Sequence, residues 1–305
     1  MFSTDSTSTL IRALRDNAPV GPSTEPHLLA VISESAAHPG RLVRARLVYA
    51  AARVHGLEPA LAEQLACSIE FFHLASLLLD DLPCMDDAQT RRGRPCAHRL
   101  HGEASTILAS LAFINRAYAL ANLAFAPQPP NVRVAAHTCL DACLGTAGLV
   151  GGQALDLRFA EGQGGARAVA IIAVRKTAAL FWLSVVFPAL LGQPSSAELR
   201  ELKALCLYWG LAYQAVDDLG DVLANSIDSG KTTGRDRALN RPNLALALGV
   251  PAARRRLVRL ARQATATIDR LERTHPRWEY LVTFHRTMFI GQVASLVDIS
   301  AAQAA

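Results

Sequence analysis

Aromatic side chains are scarce in this chain: Phe, Trp and Tyr make up 6% of its 305 residues, although hydrophobic residues reach 51%. The apolar material is mainly aliphatic, with alanine and leucine abundant, and that bias favours helices. Such a balance excludes a disordered chain, which has too little apolar surface to offset the entropy of ordering. Runs that alternate apolar and polar residues are missing, so strands are not expected to build the core. The six cysteines contain no C-x-x-C pair, which removes a zinc ribbon or dithiol redox motif. Cys139 and Cys143 stand four apart, as two small core residues on one helix do. The opening MFSTDSTSTL has neither the basic start nor the apolar run of a signal peptide. Reduced thiols and a cytoplasmic location are therefore expected. The longest apolar stretch, Ala178 to Gly192, contains Ser184 and Pro188 and falls short of the ~20 residues of a bilayer span. A buried core helix is expected there, and no transmembrane segment.

The formal net charge is +5, which points to an anionic partner without naming it. Basic residues are spread along the chain, with no zinc finger, aromatic RNA-binding box or basic arm, so nucleic acid is not the expected partner. Small anionic substrates account for the surplus equally well.

Helical periodicity runs through most of the sequence, broken at His38-Pro39-Gly40, Pro83 to Pro95, Pro127 to Pro130, Gly162 to Gly165, Gly192 to Pro194, Gly230 to Pro242 and around Pro276. The segments between these breaks are long enough for an all-α helical bundle. No Gly/Ser-rich linker divides the chain, so residues 1–305 are expected to form a single domain, with 1–30 loosely attached.

Two acidic clusters interrupt this pattern. The first lies in LLLDDLPCMDD, Leu77 to Asp87. The apolar run before it predicts a buried helix, and Pro83 places Asp80 and Asp81 at its C-terminal end. Carboxylates there meet the negative end of the helix dipole and repel each other, and Asp86 and Asp87 add to the crowding. The second is YQAVDDLGD, Tyr213 to Asp221. Asp217, Asp218 and Asp221 are three and four apart and share one helical face, with Gln214 a turn earlier. Carboxylates without His or Cys suit hard Mg²⁺. Mg²⁺ uses few protein ligands and completes its shell with water and substrate phosphates, so two such clusters describe a site for a metal-bridged diphosphate.

Arg91-Arg92-Gly93-Arg94-Pro95 follows the first cluster. Taken alone it is a solvated basic loop or a charge balance for the aspartates. Guanidinium forks also bind phosphate in two-pronged fashion. Arg41, Arg44, Lys176 and Lys231 are further candidates. His73 lies two helical turns before Asp80 on the same face and points to the same site.

These residues also carry a resemblance. LLLDDLPCMDDAQTRRGRP is similar to the first aspartate-rich motif of the trans-isoprenyl diphosphate synthases, and YQAVDDLGD to their second. GLVGGQALDL (Gly148 to Leu157), Lys176-Thr177 and GKTTGRD (Gly230 to Asp236) follow the family's order. Among its members the chain most resembles the bacterial geranylgeranyl diphosphate synthases. The resemblance implies a helical bundle of the isoprenoid synthase type around a central cavity, usually as a homodimer. It implies that Asp80, Asp81, Asp86, Asp217, Asp218 and Asp221 hold two to three Mg²⁺ ions on the allylic diphosphate. Arg91, Lys176, Thr177, Gln214, Lys231 and Arg241 would contact that diphosphate. Arg41, Arg44, His73 and Arg92 would hold isopentenyl diphosphate. The aspartates and Lys176 would carry the catalytic step.

Some positions depart from the pattern. Arg41 stands where the family has Lys, and Leu42 where it has Arg; Arg241 replaces a late Lys. Arg and Lys differ in geometry, so the isopentenyl diphosphate contacts are the ones affected. The implied reaction is head-to-tail (1'-4) condensation of isopentenyl diphosphate with dimethylallyl, geranyl or farnesyl diphosphate. Product length depends on the depth below Asp80, where Ala75 and Ser76 leave room and Phe72 either closes the floor or packs as ordinary core. The expected product is C20 geranylgeranyl diphosphate. The alternatives are a C15 farnesyl diphosphate synthase and a non-catalytic regulatory subunit. A terpene cyclase is disfavoured because the second Asp-Asp-x-x-Asp replaces the cyclase type of second metal site.

Overall fold

The computed structural model describes residues 4–159, 165–223, 236, 239–291 and 293. Its described residues are overwhelmingly helical, as the composition predicts, and group into two compact units, residues 1–134 and 135–305.

In the first unit the helices are α1 (Thr4–Asp16), α2 (Pro26–Ala37), α3 (Val43–Val54), α4 (Pro59–Asp80), α5 (Ala97–His101) and α6 (Glu103–Phe125). Residues 4–16, from the stretch expected to be loosely attached, form α1 and bury Leu10, Ala13 and Leu14. α4 starts with Pro59 in its first turn, where a missing N–H costs nothing. It is buried on almost every side: Leu65, Ala66, Ile69, Phe71 and Phe72 are inaccessible or nearly so. Each large apolar side chain buried this way contributes about 1.5–3 kcal/mol. The main partner is α6, where Phe113 stacks at 5.2 Å from Phe71 and the Ala117 carbonyl accepts a 2.7 Å bond from Ser68 Oγ.

Pro83 ends α4 where the sequence predicts. The chain then folds back beneath the helix end: the Asp86 N–H donates to the Asp80 carbonyl (3.0 Å) and the Ala88 N–H to that of Asp81 (3.1 Å). These bonds satisfy carbonyls that the helix leaves open. The basic segment that follows is a minimal antiparallel hairpin, β1 (Thr90–Arg91) with β2 (Arg94–Pro95). Arg92 and Gly93 form its tip, with φ of 56° and 76°, the left-handed pair a two-residue turn requires. No strand was expected; one of two residues is too short to show alternation.

In the second unit, α7 (Pro130–Leu144), which begins in the first, is followed by α8 (Leu149–Leu157), α9 (Gly165–Ala173), α10 (Ala179–Ala189), α11 (Ser196–Leu223), α12 (Leu244–Leu248), α13 (Val250–Thr274) and α14 (Glu279–Phe284). α9 and α10 are joined without a break by a π turn, Val174–Ala178. α13 packs on α11 through Leu257, Leu260, Ala264, Ile268 and Leu271, and turns Arg255, Arg259 and Arg262 to solvent. Trp209 of α11 centres the core, 5.0 Å from Phe284, with its indole N–H on His285 Nδ1 at 3.1 Å. All six cysteines are free thiols.

Four helical stretches are long and apolar enough to cross a membrane by length and composition: residues 59–80, 103–125, 130–157 and 165–192. The last includes Ala178–Gly192, which the sequence treats as too short; the structure joins it to α9, so the apolar helix is longer than that stretch.

Candidate active site

In the first unit, Asp80 closes α4 and Asp81 caps it. Asp81 is 3% exposed and is gripped by Arg91: Nε lies 2.7 Å from Oδ2 and Nη2 2.5 Å from Oδ1. The pair ties the hairpin to the helix end. Asp80 and Asp86 are half-buried beside it.

Arg44, from the first turn of α3, is buried, and its Nη1 lies 3.3 Å from His73 Nε2. Burial, followed by the charges of Arg44, Arg92 and Arg91, keeps the His73 pKa well below its usual value. The ring is therefore neutral and accepts from Arg44 at Nε2, which leaves the proton on Nδ1. Arg41 is exposed, whereas Leu42, in place of the family's Arg, is buried at a left-handed φ of 52°. Its side chain belongs to the core and offers nothing to an anion.

Arg92 is exposed, and its Nη1 donates to the His38 carbonyl at 3.3 Å. Its guanidinium covers Gly40 so closely that a methyl group there would lie 2.3 Å from Arg92 Cζ. Below the acidic cluster, Ala75 and Phe72 are buried, and Phe72 meets Tyr118 of α6 edge-on at 4.9 Å. Ser76 is tied to its own helix, its Oγ donating to the His73 carbonyl at 2.8 Å.

In the second unit the π turn carries Lys176 and Thr177. A π turn displaces side chains from the α-helical register, which is why such turns gather at working sites. Two glycines let neighbours approach it. A Cβ on Gly152 would lie 2.7 Å from the Lys176 nitrogen, and one on Gly210 2.4 Å from Ala178 Cβ. Lys176 Nζ sits 2.5 Å from Asp156 Oδ2. Thr177 Oγ1 donates to Gln214 Oε1 at 2.8 Å, and Gln214 Nε2 donates to Asp218 Oδ1 at 2.8 Å.

The second aspartate cluster is less uniform than its spacing implies. Asp217 is exposed and Asp221 half-buried, but Asp218 is 1% exposed. Its Oδ2 accepts the Leu244 N–H at 2.6 Å, so both oxygens serve internal bonds. Burial pushes its pKa up to about 8 against those stabilising bonds. Asn243 explains the local fold. Its Oδ1 caps α12 at the Leu246 N–H, and its Nδ2 reaches the Asp218 carbonyl (3.2 Å) and Asp236 Oδ2 (2.8 Å).

The pKa of Asp236 is pushed up to about 6, first by burial, with the charges of Asp221, Asp217 and Asp156 adding to it. Crowded carboxylates of this kind gain from a divalent cation, and an all-oxygen donor set suits Mg²⁺. Among the described residues no three His, Cys, Asp or Glu side chains close into a cage. Mg²⁺ needs none, since one or two carboxylates suffice when phosphates fill the shell. The donor set fits the metal.

The sequence reading missed Asp156, Asp236 and Asn243. The first two stand inside the quoted glycine-rich segments, and Asn243 reads only as a helix cap. It missed Glu70 as well, a buried carboxyl facing Arg44 and Arg92, whose pKa burial raises to about 7. Lys231 lies outside the described residues. Arg241 is half-buried, with its N–H on the Asp236 carbonyl at 2.7 Å.

A helical scaffold that sets arginine and lysine side chains against carboxylate clusters is the framework of an enzyme that handles diphosphates. Residues 25–275 match the Polyprenyl synthetase family, and the chain belongs to it. Geranylgeranyl pyrophosphate synthase 6, mitochondrial, of Arabidopsis thaliana is 37% identical over 232 residues, which are 74% of this chain and 69% of that protein. Geranylgeranyl pyrophosphate synthase, chloroplastic, of Capsicum annuum is 34% identical over 247 residues, 80% and 67% of the two chains. A solved geranyltransferase from Helicobacter pylori, complexed with magnesium and isoprenyl diphosphate, superposes with a TM-score of 0.82. It is 27% identical, and the superposition covers 93% of this chain and 95% of that one.

Proposed function

We propose that this prenyltransferase condenses isopentenyl diphosphate head-to-tail with an allylic diphosphate and releases a C20 prenyl diphosphate. The observation that carries the reading is a cation held on an aspartate in each unit: Arg91 on Asp81 of the first cluster, and Lys176 on Asp156, whose charge bears on Asp236. In this reading Asp80, Asp81 and Asp86 in the first unit and Asp217, Asp221 and Asp236 in the second are the carboxylates that would hold two to three Mg²⁺ ions, while Asp218 is engaged by Gln214 and the Leu244 N–H. Divalent metal held by these carboxylates would neutralise the allylic diphosphate and ease its departure. Arg91 of the first unit and Lys176 and Thr177 of the second are the groups that would take its oxygens. The apolar surface above Phe72 excludes water from the allylic cation. Arg44, Arg92 and His73 hold isopentenyl diphosphate, its double bond attacks the cation, and the leaving diphosphate accepts the proton lost.

The similarity to the Helicobacter pylori enzyme over 93% of the chain supports a kinship with bacterial synthases. Homodimerisation is supported by an apolar stripe on α6, where Leu108 and Leu111 are 54% and 56% exposed and Ile107 and Tyr118 each 39%. Ionisable Glu70 and Asp80 on α4 favour a bundle helix over a bilayer span. Six free thiols agree with a reducing, cytoplasmic setting.

The test is mass spectrometry of products from each allylic diphosphate with isopentenyl diphosphate. C20 product that disappears on chelation and returns with Mg²⁺ is expected. Purified protein that leaves isopentenyl diphosphate unconsumed defeats the proposal and favours a regulatory subunit.

A further inference from the structure

The hairpin that presents Arg92 is fastened from outside the motif. Glu34, near the end of α2, spreads its carboxylate between two elements. Oε1 pairs with Arg94 Nη2 of the hairpin, and Oε2 lies 3.1 Å from His101 Nε2 of α5. Bonds from His101 and Arg94 hold the Glu34 carboxyl below its ordinary pKa, against some desolvation. Arg94 Nη1 also reaches His38 Nε2 at 3.0 Å, while His38 Nδ1 lies 3.1 Å from the Glu34 carbonyl. With Arg94 donating to Nε2, the His38 proton sits on Nδ1 and donates back to α2. The same His38 offers its carbonyl to Arg92, two residues before the Gly40 that Arg92 covers. Arg92 itself holds a left-handed backbone, a conformation that costs a non-glycine residue ~1 kcal/mol or more and persists only when its surroundings impose it.

We infer that Glu34 is a positioning residue for isopentenyl diphosphate: by clamping Arg94 and His101 it fixes the hairpin and aims Arg92 at that substrate. The inference rests on the function proposed above and adds a residue that touches no substrate. Its members are partly exposed, with 31% of the Glu34 side chain and 49% of that of Arg94 accessible, so the effect is modest. Salt screens it as well.

The experiment is steady-state kinetics on the full chain, varying isopentenyl diphosphate at saturating allylic diphosphate and Mg²⁺. Glu34→Gln is expected to raise the KM for isopentenyl diphosphate about fivefold, the equivalent of ~1 kcal/mol. The kcat and the allylic KM should stay within about twofold, a split that general loss of structure does not produce. Arg94→Gln should match it, and the double variant should be no worse than Arg94→Gln. Gly40→Ala, which pushes on Arg92 directly and also strains a backbone held at φ 82°, should raise the same KM.

An unchanged KM in Glu34→Gln overturns the inference, and so do multiplying effects in the double variant. If Gly40→Ala raises the KM and Glu34→Gln does not, Arg92 keeps its place and Glu34 loses its role. A parallel fall of kcat, both affinities and melting temperature also overturns it, as plain destabilisation. A wild-type chain that ignores isopentenyl diphosphate fails a different claim, the proposed function itself.

Discussion

Arg91 and Asp81 close a forked ion pair that joins the tip-bearing hairpin to the C-terminal end of α4, with both carboxylate oxygens within 2.9 Å of the Arg91 Nε. Asp81 is nearly inaccessible and sits at the negative end of its helix dipole, so it needs a cation before any metal arrives.

Arg91→Gln is expected to destabilise the protein by about 1–3 kcal/mol, because it leaves a buried carboxylate without its partner. Arg91→Lys keeps the charge but loses the fork and should cost less. Urea unfolding without ligands measures both; equal stability of all three proteins sets this account aside.

Gly210→Ala should act at a distance from the aspartates. The added Cβ would sit 2.4 Å from that of Ala178, between α11 and the π turn. Overpacking of this kind costs about 1–3 kcal/mol. It also moves Lys176 and Thr177, so kcat with the allylic substrate should fall further than stability alone explains. Kinetics at a temperature where the variant is fully folded separates the two.

Phe72→Ala is expected to lengthen the product, since Phe72 and Tyr118 close edge to face below Asp80. Product distribution by mass spectrometry tests this. An unchanged C20 product would show that Phe72 is ordinary packing.

His285 gives the pH dependence a defined sign. Its Nδ1 accepts from Trp209 and its Nε2 faces Thr265 Oγ1 at 2.9 Å, so the neutral ring is the one that fits. Burial depresses its pKa from 6.5 to about 4. The unfolded chain therefore binds the extra proton first, and stability falls as pH drops from about 6.5 towards 4. The loss is on the order of 2–3 kcal/mol. Glu70, raised from 4.5 to about 7, has the opposite sign: its contribution is present below about 4.5 and is lost as pH rises through about 7. Denaturation of His285→Phe and Glu70→Gln across pH 4–8 should remove one slope each. Parallel profiles for variants and wild type would refute both assignments.

Local sequence rules suffice for the helices, for the end of α4 at Asp80 and for the identity of the two acidic clusters. These rest on local rules: apolar periodicity, the reach of Pro83 on the residue before it, and carboxylates too crowded to be neutral ornaments. Spacing also put His73 on the Asp80 face of α4, and the structure sets Arg44 against it. What tertiary structure alone decided is which carboxylates turn inward and what holds the cations. Asp218 shares its spacing with Asp217 and Asp221, yet only Asp218 meets the Leu244 N–H and the Gln214 amide. Glu34 and Arg94 stand 60 residues apart, as do no two members of a sequence motif here. Periodicity reports the face of one helix. Burial, hydrogen-bond partners and shifted pKa values depend on what the rest of the chain packs against that face, and no local pattern encodes that.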